Sequence, residues 1–340
     1  MSTYRILALD GGGSRGYLSI LLLERLAHER PGFLEQFDLF AGTSTGSIIA
    51  SGLAYGLEPA DIRGLYEKHC RRIFHNPLRD KLFDPTSALS AKYSNKYLKR
   101  ALKSYFGDKR LGDLHKKVLI ATFHLDYTPG EDEKGHRMWK AKFFHNYPDD
   151  PATSQKDSDE CEFIVDVVLR SCAAPLYFPS YQGYVDGFVV ANNPSMCALA
   201  QAIKAKVAKS PNEIVILSVG TGLNLRYIEG KENDWGWTRW SFQLYPRSFK
   251  LYGLPLIYMM WEGGVNLANY QCKQLLGGRF HRLDPVLPKL IDIDTVRDMP
   301  LLKQVAQETC LDETLAWFDG QLDEQLDEQF ETAATAESAA

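Results

Sequence analysis

Apolar residues along this chain gather in short runs that glycine closes. Ile6-Leu7-Ala8-Leu9, entered from Arg5 and left through Asp10, is too short for a helix and predicts a buried strand. Gly11 to Gly16 breaks it, and Leu18, Leu21, Leu22 and Leu26 then repeat at helical spacing up to Pro31. Phe37 to Ala41 predicts a second strand, followed by Gly42-Thr43-Ser44-Thr45-Gly46 and a small-residue helix, Ser47 to Tyr55. Strand, glycine turn and helix, taken twice, is the pattern of a parallel sheet with helices on its faces.

Residues 58–115 read as mostly helical and are rich in Lys and Arg. Val118 to Phe123 predicts a further strand and Arg137 to His145 another, while Pro148 to Glu160 reads as an exposed polar loop. A helix over Phe163 to Cys172 ends before Pro175. Ile214 to Val219, closed by Gly220-Thr221-Gly222, is the last run with a clear core-strand signature. Between Trp235 and Trp261 the texture changes, with four of the six tryptophans there. Aromatics at that density read first as core beneath a long connection. The repeated Gln-Leu-Asp-Glu at 321 and 325 predicts a frayed helix, then disorder.

Composition narrows the class. The 340 residues are 45% hydrophobic and 24% charged, ordinary values for a soluble globular chain that folds without metal or disulfide staples. We expect one α/β domain over 1–318, with the motifs in 4–225 and an aromatic-rich extension over 226–318. Seven acidic residues and no Lys or Arg lie in the tail 319–340, against 39 basic and 36 acidic residues in the body. A mildly basic body with an acidic tail argues against nucleic acid as a partner. The six cysteines are scattered without a Cys-x-x-Cys pair, which fits a reducing compartment. No window approaches the roughly 18–20 apolar residues of a spanning helix. The N-terminus enters a strand at once without a signal-like apolar region. The expectation is a cytoplasmic protein with at most peripheral membrane contact.

Gly42-Thr43-Ser44-Thr45-Gly46 fits the Gly-x-Ser-x-Gly elbow, in which a serine at a strained strand-to-helix turn is exposed and its glycine neighbours relieve clashes. The helix that follows presents amides and partial positive charge to a developing oxyanion. Gly11, Gly13 and Gly16 also satisfy Gly-x-Gly-x-x-Gly. As a dinucleotide fingerprint this wants an acidic residue at the end of the second strand, where the chain has Gly-Thr-Ser-Thr-Gly and keeps Asp38 at the start. The other reading makes Gly11, Gly12, Gly13, Ser14, Arg15 and Gly16 an oxyanion hole, and it accounts for both glycine turns at one sheet edge. For a base there are two candidates: Asp186 before Gly187, and His281, late enough in the chain to close a triad.

Together these residues resemble the patatin-like phospholipase family. Asp10 to Gly16 matches its glycine-rich motif, Gly42 to Gly46 its elbow, and Asp186-Gly187-Phe188 its Asp-Gly-Gly/Ala. Ala173 to Pro179, Asn192-Asn193-Pro194 and Gly220-Thr221-Gly222 support the match in family order. Ser14 stands where an aliphatic residue is usual, and Phe188 where a small one is. The resemblance implies a three-layer α/β sandwich with a mostly parallel central sheet. It further implies a Ser44–Asp186 dyad without histidine, served by oxyanion amides near Gly12, Gly13 and Ser14, with Arg15 close by.

The expected function is then a lipid acyl hydrolase of phospholipase A type, acting on phospholipids or related glycerolipids at a membrane or micelle surface. The aromatic stretch acquires a second reading as an acyl-chain channel or interfacial belt. Lys68 to Arg72 and Lys99 to Lys103 read as solvated helix faces before they read as head-group contacts. No metal or organic cofactor is implied, and no loop has calcium-ligand spacing. Two rivals remain: a general carboxylesterase with a Ser44/Asp186/His281 triad, and a non-catalytic nucleotide-binding module using Gly11 to Gly16.

Overall fold

The computed structural model describes residues 3–75, 91–128, 136–149, 158–227 and 255–322, with 240, 243–244 and 251–252 between them. Strand β1 (Tyr4–Leu9) is central, and Ile6, Leu7, Ala8 and Leu9 are all fully buried. That is why its sequence is a continuous apolar run instead of an alternating one. Parallel strands β2 (Leu39–Thr43) and β3 (Lys117–Tyr127) lie on one side, and β6 (Ile214–Val219) on the other. Two strands, β4 (Met138–His145) and β5 (Tyr184–Asp186), both pair antiparallel with β3. A two-residue pair, β7 (Gln243–Leu244) with β8 (Leu251–Tyr252), stands apart.

One edge of the sheet is a strand that the sequence pattern does not announce. β9 (Phe280–Leu283) pairs parallel with β6, Phe280 opposite Ile216 and Leu283 opposite Val219. Its four residues, Phe-His-Arg-Leu, do not alternate and are too few to announce a strand locally. The result is a seven-stranded, mostly parallel sheet.

Alternate residues of β1 feed two cores. Leu7 and Leu9 join α1 (Gly16–Glu29), α2 (Thr45–Tyr55), α3 (Pro59–Ile73), α4 (Lys96–Phe106) and α5 (Ile164–Ser171) on one face. Ile6 and Ala8 meet α7 (Ser195–Lys204) and the end of α8 (Pro255–Leu276) on the other. Between β5 and α7 sits a single turn, α6 (Phe188–Ala191). Each fully buried Leu or Ile contributes about 1.5–3 kcal/mol relative to exposure. The helix α9 (Met299–Glu308) packs on α1. Residues 312–322 are also helical, with Asp319 paired to Arg30 at 2.9 Å. The rest of the acidic tail lies outside the described residues, as does most of the aromatic stretch. Among the described residues no helix is long and apolar enough to cross a membrane.

Candidate active site

β1 and β2 end side by side, Leu9 opposite Gly42, so both glycine turns leave the sheet at its carboxyl edge. Ser44 is the turn residue between β2 and α2, with φ 54° and ψ −122°. A non-glycine residue held at positive φ is strained, and its neighbours must make room. They do so by having no side chain. A Cβ on Gly42 would run into the Gly46 carbonyl and stand 2.6 Å from the Gly46 carbonyl carbon. One on Gly46 would run into the Leu9 carbonyl and stand 2.8 Å from that of Asp10. The elbow's backbone is pinned from outside: the Ser44 amide donates to Ser171 Oγ at 2.9 Å, and that hydroxyl donates to the Ala121 carbonyl at 2.7 Å. No local signal marked Ser171, since its partners lie 127 and 50 residues away.

Asp186 ends β5, opposite Thr122 of β3, and is 1% exposed. Its carboxylate accepts a hydrogen bond from the Phe188 amide at 2.9 Å. Burial pushes its pKa up to about 7, with the nearby Ser44 hydroxyl and the Phe188 amide pulling the other way. A carboxyl so tuned is a proton acceptor poised near neutral pH. Activity that depends on its ionised form is therefore expected to rise with pH through about 7. The kcat/KM profile on a soluble ester is the check.

The glycine loop packs against the elbow; a Cβ on Gly11 would stand 3.2 Å from that of Ser44. Four of its amides are satisfied within the chain. Gly11 donates to the Asn192 carbonyl at 3.1 Å, Ser14 to Ile293 at 2.6 Å, Arg15 to Gly12 at 3.1 Å, and Gly16 to Gly13 and Ser14. Among the described residues the amides of Gly12 and Gly13 have no acceptor. Two adjacent unpaired donors on a loop packed against the serine turn suit an oxyanion. Arg15 is buried, and its Nη1 donates to the Gly222 carbonyl at 3.1 Å. Ser14 is wholly buried.

Behind the loop, Asp10 forms a bidentate pair with Arg282, at 3.0 and 2.6 Å. Arg282 also donates to Ser218 and Asp284, each at 2.8 Å, and Asp284 accepts from the Gly222 amide at 2.9 Å. Burial raises the Asp10 pKa to about 6 despite Arg282. The sequence reading passed over Arg282 and Asp284, although they flank the segment it searched for a base.

His281 itself is turned elsewhere. Its Nε2 is 2.9 Å from Thr314 Oγ1 and its ring stacks on Trp317. Burial lowers its pKa. The triad's third member is thus not brought to Ser44 and Asp186, and His281→Ala is expected to leave kcat/KM within about twofold. The nucleotide reading fares no better. Asp38 accepts from the Arg5 amide at the amino ends of β1 and β2, away from the loop. A Cβ on Gly12 would meet Thr221 and one on Gly13 would meet Ile293, so close packing within the chain accounts for both glycines.

At Phe188, two residues after Asp186, opens an apolar cavity of about 250 Å³, lined also by Leu176, Tyr177, Ile257, Trp261 and Ile293 among others. Phe188 follows Asp186-Gly187 and packs on Trp261 with ring centroids 5.5 Å apart. Of the aromatic stretch, Trp261 and Tyr258 are described here as half-buried cavity wall instead of sealed core.

Comparison with known proteins identifies the family. Residues 7–199, more than half of the chain, match the family model for the patatin-like phospholipase. The chain belongs to that family. Among patatin-like relatives and other similar proteins, it is 32% identical over 327 residues to CotR of Bacillus subtilis (strain 168), covering 92% of this chain and 96% of that one. It is 30% identical to "Patatin-like protein 1" of Arabidopsis thaliana, over 71% of this chain and 65% of the relative. A "cGAMP-activated phospholipase" of Pseudomonas aeruginosa is 29% identical, with 83% and 78% covered. Arg282 and Asp284 lie beyond the segment that the patatin-like model matches.

Proposed function

We propose that this protein is a phospholipase A-type acyl hydrolase in which Ser44 is the nucleophile and Asp186 its base. The observation that carries this reading is the strained Ser44 near the buried Asp186 carboxylate, with the glycine loop that bears the Gly12 and Gly13 amides packed against the same turn. Ser44 Oγ attacks the ester carbonyl carbon while its proton passes to Asp186. The carbonyl oxygen becomes an oxyanion held by the Gly12 and Gly13 amides. The C–O bond then breaks, the departing alcohol takes the proton from Asp186, and the acyl group stays on Ser44. Water, deprotonated by Asp186, attacks the acyl-enzyme and releases the fatty acid and Ser44.

The apolar cavity supports an acyl chain as the group bound beside Ser44. Exposed apolar side chains on the elements that line it support a lipid surface as the source. Leu176 of the lining is 59% exposed, and α6 and α8, which contact each other and each give residues to the lining, also expose Val189, Val190, Leu256 and Met260. Large apolar side chains on such elements fit contact with acyl chains more readily than with water. The core that begins at Leu7 continues to Phe318, which supports one domain over 1–318. Its free cysteines fit a reducing, cytoplasmic setting.

An alkyl fluorophosphonate tests the assignment. Peptide mapping is expected to find the adduct on Ser44, with no labelling in Ser44→Ala. An adduct elsewhere, or labelling that survives Ser44→Ala, contradicts it.

A further inference from the structure

Arg282 spends four hydrogen bonds on three partners at the back of the glycine loop: Asp10, Ser218 and Asp284. Both carboxylates belong to turns that build the site. Asp10 opens the Gly11–Gly13 loop, and Asp284 holds the Gly222 amide of the neighbouring Gly220-Thr221-Gly222 turn. The two turns are tied together in front of the guanidinium, because Thr221 Oγ1 donates to the Gly11 carbonyl at 3.2 Å. On the far side, the Ser14 amide donates to the Ile293 carbonyl. Gly12 and Gly13 thus sit on a short span whose ends are both fixed by the segment 282–293.

We infer that Arg282, with Asp284, is a positioning residue that sets the direction of the Gly12 and Gly13 amides toward the reacting oxygen. This rests on the acyl-hydrolase reading above. Arginine is required by geometry. Its planar fork meets both oxygens of Asp10 while the outer faces of the same two nitrogens reach Ser218 and Asp284. A lysine offers the charge from a single nitrogen and cannot span all three partners. Removing the charge outright would leave two buried carboxylates facing each other, which is destabilising.

The test compares wild type, Arg282→Lys and Arg282→Gln on a soluble short-chain ester, with active serines counted by fluorophosphonate so that misfolded protein drops out. The affinity for a trifluoromethyl ketone is measured alongside. That inhibitor adds to the serine and places a charged oxygen among the loop amides. Arg282→Lys is expected to keep KM within threefold, lose at least tenfold in kcat, and lose ketone affinity in step with kcat. Arg282→Gln is expected to lose more of both. A purely structural role would lower the count of active serines and leave kcat per serine and ketone affinity alone, which overturns the inference. So does an Arg282→Lys enzyme within twofold of wild type in both. If wild type and Ser44→Ala are equally inert toward the ester, the hydrolase reading fails. Ketone affinity across the Arg282 series then still shows whether the loop amides depend on Arg282.

Discussion

Asp186→Asn is expected to lower kcat on an acyl ester by about 10³–10⁴, with the protein still folded, because general-base help of this kind contributes up to about that much. The amide oxygen can keep the bond from the Phe188 amide, yet the side chain cannot take the serine's proton. A second signature separates this from simple damage. The folded pKa of Asp186 is about 7, above the ordinary carboxylate value of 3.8. Its ionised form is therefore disfavoured by folding. The contribution is present at low pH and is lost as pH climbs through about 7. Asn carries no such penalty. Asp186→Asn should melt at a higher temperature than wild type at pH 8, and the difference should shrink or vanish at pH 5. Thermal melts at the two pH values read it directly.

Gly46→Ala is expected to damage both stability and activity. The added carbon points at the carbonyl of Leu9 and stands 2.7 Å from the Leu9 carbonyl carbon and 2.8 Å from the Asp10 oxygen. These are backbone atoms of the central strand, buried and bonded on both sides, so they cannot step aside. The start of α2 must move instead, and with it Ser44. Overpacking of this kind costs about 1–3 kcal/mol or more. Denaturant unfolding should show that loss, and kcat should fall by at least a hundredfold. A Gly52→Ala control sits in the same helix but faces only the flexible end of Ile62 at 2.8 Å, and it should cost far less on both counts.

Much of this site was legible because its key parts are local. An elbow needs glycines two residues either side of the serine, and a loop that bares its amides needs consecutive glycines. Both constraints are written within a few positions of the residue they serve. The alternation of Ile6 and Ala8 with Leu7 and Leu9 likewise declared a strand buried on both faces. What escaped the reading is what depends on distant partners. Ser171 steadies Ser44 across 127 residues, and Arg282 reaches Asp10 across 272. Nothing within either residue's neighbourhood encodes those contacts. The strand β9 escaped for a related reason, since its four residues are held by β6 and not by their own pattern. The sequence offers six residues for an oxyanion hole, and the proposal of Gly12 and Gly13 draws on which amides of that loop already have partners.

The central claim is that Ser44 and Asp186 together hydrolyse lipid acyl esters. Its most direct test is fatty-acid release from mixed phospholipid vesicles by wild type, Ser44→Ala and Asp186→Ala. Each is assayed with and without cGAMP, because relatives from Pseudomonas aeruginosa and Vibrio cholerae are named for that activator. The account requires release by wild type in at least one condition and background rates for both variants. Equal rates from all three proteins, or a wild type silent in both conditions, would contradict it.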